Sequence, residues 1–253
     1  MEYLYFILFF VLGCILGGFY SALGNRLGSE DYHFLPYRCN VCGEKLSFLE
    51  SIPLLSYLFL KGKCRHCHKK IDVMEPLMEF FTGILFTVSY YSFGFSYELL
   101  IALGIISLLI IVTVSDLNYL IIPDEVLVFF VLYFIIVQFL AGGIINAFTH
   151  ILTGFFLFIL MYIIMWLGSK ALKKESLGGG DVKMMFLFGL VLDPLLGAIS
   201  IFLGSVFALP MSLFLLYKNH EKVIPFGPFL LLALTFIYFT KLTPDMFISW
   251  LGL

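Results

Sequence analysis

Stretches of apolar residues long enough to cross a lipid hydrocarbon core recur along this chain, and they leave few folds open to it. A helix needs ~20 such residues to span, and only a helix satisfies every backbone N–H and C=O within one segment. On that measure the sequence predicts eight crossings: Leu4–Leu23, Leu77–Gly94, Leu99–Val114, Val126–Ala141, Ile145–Leu167, Met184–Leu192, Leu196–Tyr217 and Phe226–Phe239. The sixth is short and is closed by Asp193 and Pro194. Composition agrees: 61% of the 253 residues are hydrophobic and 13% charged, against about 45–50% and 25% in an average soluble domain. The expected fold is therefore an all-α polytopic membrane protein of about eight transmembrane helices. The N-terminal segment has no basic n-region, and its apolar run exceeds the ~7–15 residues of a signal h-region. Residues 1–23 are thus expected to be a first spanning helix rather than a cleaved signal. The net charge of -2 offers no basic excess, so nucleic acid is not an expected partner.

The basic residues set the orientation. Eight of the fifteen Lys and Arg fall between Arg26 and Lys70, four are Lys170, Lys173, Lys174 and Lys183, and two are Lys218 and Lys222. With eight crossings these segments share one face, leaving Lys241 alone on the other; the positive-inside rule makes the rich face cytoplasmic and both termini external. Removing the sixth crossing would break this 14-to-1 bias. Parity brings the loop "SDLNYLIIPDE", Ser115 to Glu125, to the cytoplasmic face as well.

The one sizeable non-membrane segment, residues 24–76, contains "CNVC" and "CRHCH". Cys39, Cys42, Cys64 and Cys67 form two C-x2-C knuckles separated by 21 residues. Each knuckle points two thiolates at one centre, and two knuckles complete a tetrahedral site suited to zinc, although iron also accepts four cysteines. A loop this short needs such a staple to fold. Disulfides are disfavoured by a cytoplasmic placement. Haem attachment through "CRHCH" belongs on the other side of the membrane and leaves the first pair unexplained. His66 or His68 replacing a cysteine ligand stays open. Cys14, alone in the first crossing, reads as a small buried apolar residue.

Asp116 ends the third crossing and Asp181 begins the sixth, both toward the cytoplasm. Acids at a membrane edge can be plain interfacial charges, but those facing a bundle interior are more often functional. Gly178, Gly179 and Gly180 precede Asp181 and permit close backbone approach and positive φ. Pro123 stiffens the chain after Asp116 and starts the next helix. Two carboxylates held close together share a proton, so one can activate water while the other polarises a carbonyl.

At these residues the chain resembles the bacterial type IV prepilin peptidase/N-methyltransferase family, the membrane aspartic peptidases with a G-x-G-D motif. "ESLGGGDVK" (Glu175–Lys183) resembles the second-aspartate motif and "DLNYLIIPD" (Asp116–Asp124) the first. "ESIPLLSYLFLKGKCRHC" (Glu50–Cys67) and "EPLMEFFTG" (Glu75–Gly83) resemble the cytoplasmic loop of the bifunctional members, and "IPFGPFL" (Ile224–Leu230) their final span. The resemblance implies that Asp116 and Asp181 are catalytic, with Gly178, Gly180, Lys183 and Asp124 at the peptidase site.

It also implies a reaction: cleavage of the short basic leader of type IV prepilins or pseudopilins after a glycine at the cytoplasmic face. Methylation of the new amine with S-adenosyl-L-methionine would follow. Asp116, Asp124, Glu125 and Asp181 would attract a basic leader over about 8–10 Å. Asn25, Arg26 and Glu79 are cofactor-site candidates by their position in matched segments. Two segments depart from the family pattern, both near the methyl-transfer half: "LGNRLG" (Leu23–Gly28) and Met74-Glu75-Pro76. The expected organisation is a first transmembrane helix (1–23), a four-cysteine zinc loop (24–76) and a transmembrane peptidase domain (77–253), in the inner membrane. A peptidase alone, with the loop structural or docking, is the nearest alternative. A cation transporter would place its acids deep within repeated spans, and no repeat is visible.

Overall fold

The computed structural model describes residues 2–27, 42–44, 54, 57, 59–173, 178–217 and 225–250. Among these the elements are helices, apart from an isolated antiparallel bridge between Lys63 and Lys70. In chain order they are α1 (Glu2–Leu27), α2 (Met74–Phe93), α3 (Tyr97–Tyr119), α4 (Asp124–Leu172), α5 (Gly179–Val191), α6 (Pro194–Tyr217), α7 (Gly227–Phe239) and α8 (Pro244–Trp250). Among the described residues four stretches are long and apolar enough to cross a membrane: Tyr3–Leu27, Tyr97–Tyr119, Asp124–Ala171 and Pro194–Phe214.

The expected fourth and fifth crossings are the two arms of α4. A straight helix of 49 residues would be about 73 Å long, more than twice the ~30 Å hydrocarbon core. The helix instead breaks at Gly143, whose φ 74 and ψ -167 lie in a region essentially reserved for glycine. The arms then run back along each other. Near the break, Asn146 Nδ2 donates to Gln138 Oε1 at 2.9 Å. Farther away, Leu127 and Val131 of the first arm share a groove with Phe155 and Phe158 of the second.

Local chemistry sets the ends that matter. The Ser96 hydroxyl caps α3 by accepting from the Leu99 N–H. Leu120, at φ 56, closes it, its N–H donating to Asp116 O at 2.9 Å. Pro123 precedes α4, as expected, with Asp124 and Glu125 in the first turn. The expected sixth crossing starts earlier than its apolar run suggests: α5 begins at Gly179, so Asp181 lies inside its first turn.

Helix α3 occupies the centre and packs against α1, α2, α4 and α7. Helices α5 and α7, each only 13 residues, are also largely buried. Glycines let these helices approach backbone to backbone. A Cβ at Gly13 would lie 2.8 Å from Gly83 Cα, and one at Gly189 would fall on the backbone of Gly154. Cys14 is buried, its sulfur against Gly83.

The break at Gly143 is testable, because a Cβ there would meet open space and only its backbone angles oppose substitution. Gly143→Ala should cost about 1–3 kcal/mol, read as a lowered unfolding midpoint of the detergent-solubilised protein. An unchanged midpoint would show that the chain does not need this break.

Candidate active site

Asp116 and Asp181 come from opposite directions to the same end of the bundle. Asp116 sits in the last turn of α3 and is 6% exposed; Asp181 sits in the first turn of α5 and is 7% exposed. They stand near enough for their charges to interact. Burying a carboxylate is costly unless donors face it, and each receives a backbone donor. Gly227 N–H, at the start of α7, donates to Asp116 Oδ2 at 3.2 Å. Gly178 N–H donates to the Asp181 carboxylate, which is half of a capping box: Gly178 is the N-cap of α5 and Asp181 its third residue. Asp181 Oδ1 is buried with no hydrogen-bond partner among the described residues.

Ile122 joins the two halves of the site. A Cβ at Gly180 would lie 3.0 Å from Ile122 Cβ, and one at Gly227 would lie 3.2 Å from Ile122 Cδ1 and 3.1 Å from Asp116 Oδ2. The α3–α4 loop carrying Ile122 is held down by the Ser115 hydroxyl, which donates to Ile121 O. The glycines before Asp181 therefore differ from expectation in one respect. Gly178 has φ -68, and neither Gly179 nor Gly180 is among the positive-φ glycines. They open a regular helix. Gly180 supplies the expected close approach, and it does so toward Ile122 of the same chain.

Lys183 and Asp124 form an ion pair, with Lys183 Nζ 2.8 Å from both carboxylate oxygens. Both side chains are more than half exposed, so the pair contributes only about 0–1 kcal/mol. It links the start of α4 to the first turns of α5.

Two of the cofactor candidates, Asn25 and Glu79, lie where α1 meets α3 and α2. Asn25 Oδ1 accepts from Asn118 Nδ2 at 2.7 Å, which ties the end of α1 to α3 two residues beyond Asp116. Arg26 is in the last turn of α1. Glu79 lies on α2 against α1: a Cβ at Gly18 would be 2.8 Å from Glu79 Oε1, and Glu79 Oε2 accepts from Leu54 N–H at 2.8 Å.

Of the four cysteines, Cys39 lies outside the described residues. The sulfurs of Cys42, Cys64 and Cys67 all lie within 4.8 Å of one another, and none is in a disulfide. The second knuckle is a tight turn: His68 N–H donates to Cys64 O, and Cys64 N–H to Lys69 O, each at 2.9 Å. Three thiols so gathered suit a soft tetrahedral ion, with Zn–S bonds of about 2.3 Å.

Ile122, Asn118 and Gly227 are neighbours of the aspartates and of Asn25 that residue chemistry alone did not single out. Their only signal was membership in "DLNYLIIPD" and "IPFGPFL".

Comparison with known proteins identifies the family. Residues 11–93 match the bacterial peptidase A24 N-terminal domain, and residues 101–213 match the type IV leader peptidase family. The chain is 36% identical over 184 residues to a prepilin leader peptidase/N-methyltransferase of Bacillus subtilis, covering 72% of each protein. It is 30% identical over 258 residues to the Vibrio cholerae protein of the same name, covering 95% of this chain and 98% of that one. No solved structure matches it. With matched segments running through both aspartate motifs and the cysteine loop, the chain belongs to the type IV leader peptidase family.

Proposed function

We propose that this protein removes the basic leader of type IV prepilins or pseudopilins at the cytoplasmic membrane face, using Asp116 and Asp181. It then methylates the new N-terminal amine with S-adenosyl-L-methionine. The observation that carries the peptidase half is the burial of both carboxylates beside one loop residue, Ile122, at the end of the bundle where α3 stops and α5 starts. A prepilin's apolar helix lies in the bilayer, so its cleavage site reaches that level.

The pair works by dividing two proton tasks. Asp116, whose Oδ2 accepts from Gly227 N–H, is suited to be the ionised partner that takes a proton from the attacking water. Asp181 Oδ1, with no donor facing it, is the oxygen open to the shared proton, which it passes to the scissile carbonyl. Water oxygen bonds to the carbonyl carbon. The C–N bond then breaks as the proton held on Asp116 moves to the leaving amine, while one hydroxyl of the gem-diol returns its proton to Asp181 and the carbonyl re-forms.

The remaining assignments form one scheme. Eight crossings, counting both arms of α4 and the short α5 and α7, give a multi-pass protein of the bacterial inner membrane with both termini outside the cytoplasm. Residues 1–23 form the first transmembrane helix, 24–76 the cysteine loop and 77–253 the peptidase domain. Cys39, Cys42, Cys64 and Cys67 hold zinc, which supplies the loop with the crosslink its few apolar residues cannot replace. Asn25, Arg26 and Glu79 face the methyl donor; Gly178, Gly180, Lys183 and Asp124 shape the peptide site. One observation favours a peptidase-only reading: Glu79 Oε2 already accepts the Leu54 N–H, a bond that anchors the loop.

Asp116→Asn and Asp181→Asn should each lower prepilin cleavage by about 10²–10⁴-fold while the protein still inserts, measured with full-length prepilin in liposomes. Cleavage at the wild-type rate by either variant would sink the catalytic assignment. Cys64→Ser should abolish zinc binding, measured on the purified protein by metal analysis, and remove the methyl group from the mature pilin N-terminus by mass spectrometry. Loss of zinc with methylation intact would leave the loop a structural role only.

A further inference from the structure

Helix α5 has 13 residues, about 20 Å, which is shorter than a ~30 Å hydrocarbon core. Its last carbonyls have no partner within the helix, and residues 188–192 around them are buried away from water. Leu192 N–H takes Phe188 O at 2.8 Å. The next two carbonyls are met by side chains from the α4 hairpin. Gln138 Nε2, on the first arm, donates to Leu190 O at 2.8 Å. His150 Nδ1, on the second arm, lies 3.4 Å from Gly189 O and donates to it in its Nδ1–H tautomer.

The Gln138 amide has little freedom. It is 5% exposed, and Asn146 Nδ2 donates to its Oε1 at 2.9 Å and to its main-chain oxygen at 3.0 Å. With its oxygen occupied by a donor, its NH2 group is the part turned to Leu190. The sideways position of α5 is set separately, by the backbone contact of Gly189 with Gly154. Such a contact blocks closer approach but opposes sliding along the helix axis only weakly. The two side-chain bonds act in that remaining direction. From Leu190 to Asp181 the helix is a rod of about 14 Å, so an axial shift at one end arrives undiminished at the other.

We propose that Gln138 and His150 are positioning residues: they clamp the far end of α5 to the α4 hairpin and thereby set where Asp181 stands relative to Asp116. This rests on the reading of the two aspartates as the peptidase pair. A displacement of about 1 Å in a reacting group can cost on the order of 10²-fold in rate, less than the 1.5 Å rise of a single helical residue.

The experiment measures steady-state cleavage of a full-length prepilin by the full-length enzyme in liposomes, normalised to folded protein. Gln138→Leu keeps the volume and removes the donor; its kcat should fall about 10-fold or more with KM changed by less than about 2-fold. Gln138→Glu, a neutral acid when buried, still donates to Leu190 O and should recover at least about one third of the wild-type kcat. A wild-type kcat for Gln138→Leu, or equal losses in the Leu and Glu variants, overturns the proposal. If Gln138→Leu does not fold, His150→Phe takes its place: a lowered kcat at unchanged KM supports the clamp, and a wild-type kcat rejects it. Asp116→Asn and Asp181→Asn, assayed alongside, separate the two ideas. Activity in those variants defeats the catalytic reading, whereas inactive Asp variants with fully active Gln138 and His150 variants defeat the clamp alone.

Discussion

Helix α3 must be enclosed for this site to exist. A carboxylate at the end of an apolar helix is tolerated away from bulk water only where neighbouring helices bring donors to it. Helix α3 is buried along most of its length, unlike α1, α4 and α6, which expose much of their surface. With α1, α2, α4 and α7 around it, α3 brings Asp116 to the Gly227 N–H of α7, to Ile122 of the α3–α4 loop and to the Asp181 charge of α5.

That enclosure depends on how closely helices can approach in lipid, where apolar side chains gain little by leaving the solvent and tight contact carries the association. Gly13 and Gly83 bring α1 to α2, Gly24 brings α1 to Ile111 and Val114 of α3, and Gly189 meets Gly154. The same device recurs at the site on a smaller scale. Gly180 and Gly227 have no side chain where Ile122 packs, so two helix starts can press on one loop. The short helices α5 and α7 follow from this: surrounded by protein, they need not match the bilayer thickness, and polar side chains such as Gln138 can meet the carbonyls they leave open.

The cysteine loop obeys different physics. Among its described residues, Cys42, Cys64 and Cys67 converge through tight turns and the bridge between Lys63 and Lys70. Its described link to the helices includes the bond from Leu54 N–H to Glu79 on α2. Glu79 in turn lies against Gly18 of α1, so the loop, α1 and α2 meet at one seam. Asn25 and Asn118 carry that seam on to α3, two residues from Asp116.

Features whose cause is local could be read from the residues alone. The length of an apolar run requires a helix, C-x2-C spacing gathers thiols, Pro123 starts α4, and the two aspartate segments each carry their own signature. Even the α4 hairpin was present as two runs, because no single helix of that length fits a bilayer. Which residues meet depends instead on how the helices pack. Asp116 and Gly227 are 111 residues apart, Asn25 and Asn118 93, Asp124 and Lys183 59, and Gln138 and Leu190 52. No hydrophobic period encodes such pairs, since every face of a membrane helix can be apolar whether it meets lipid or protein. The regular helical start at Gly178–Gly180 was hidden for a related reason. Glycine permits both left-handed and helical backbone, and the choice fell to Asp181 capping Gly178 and Ile122 packing on Gly180.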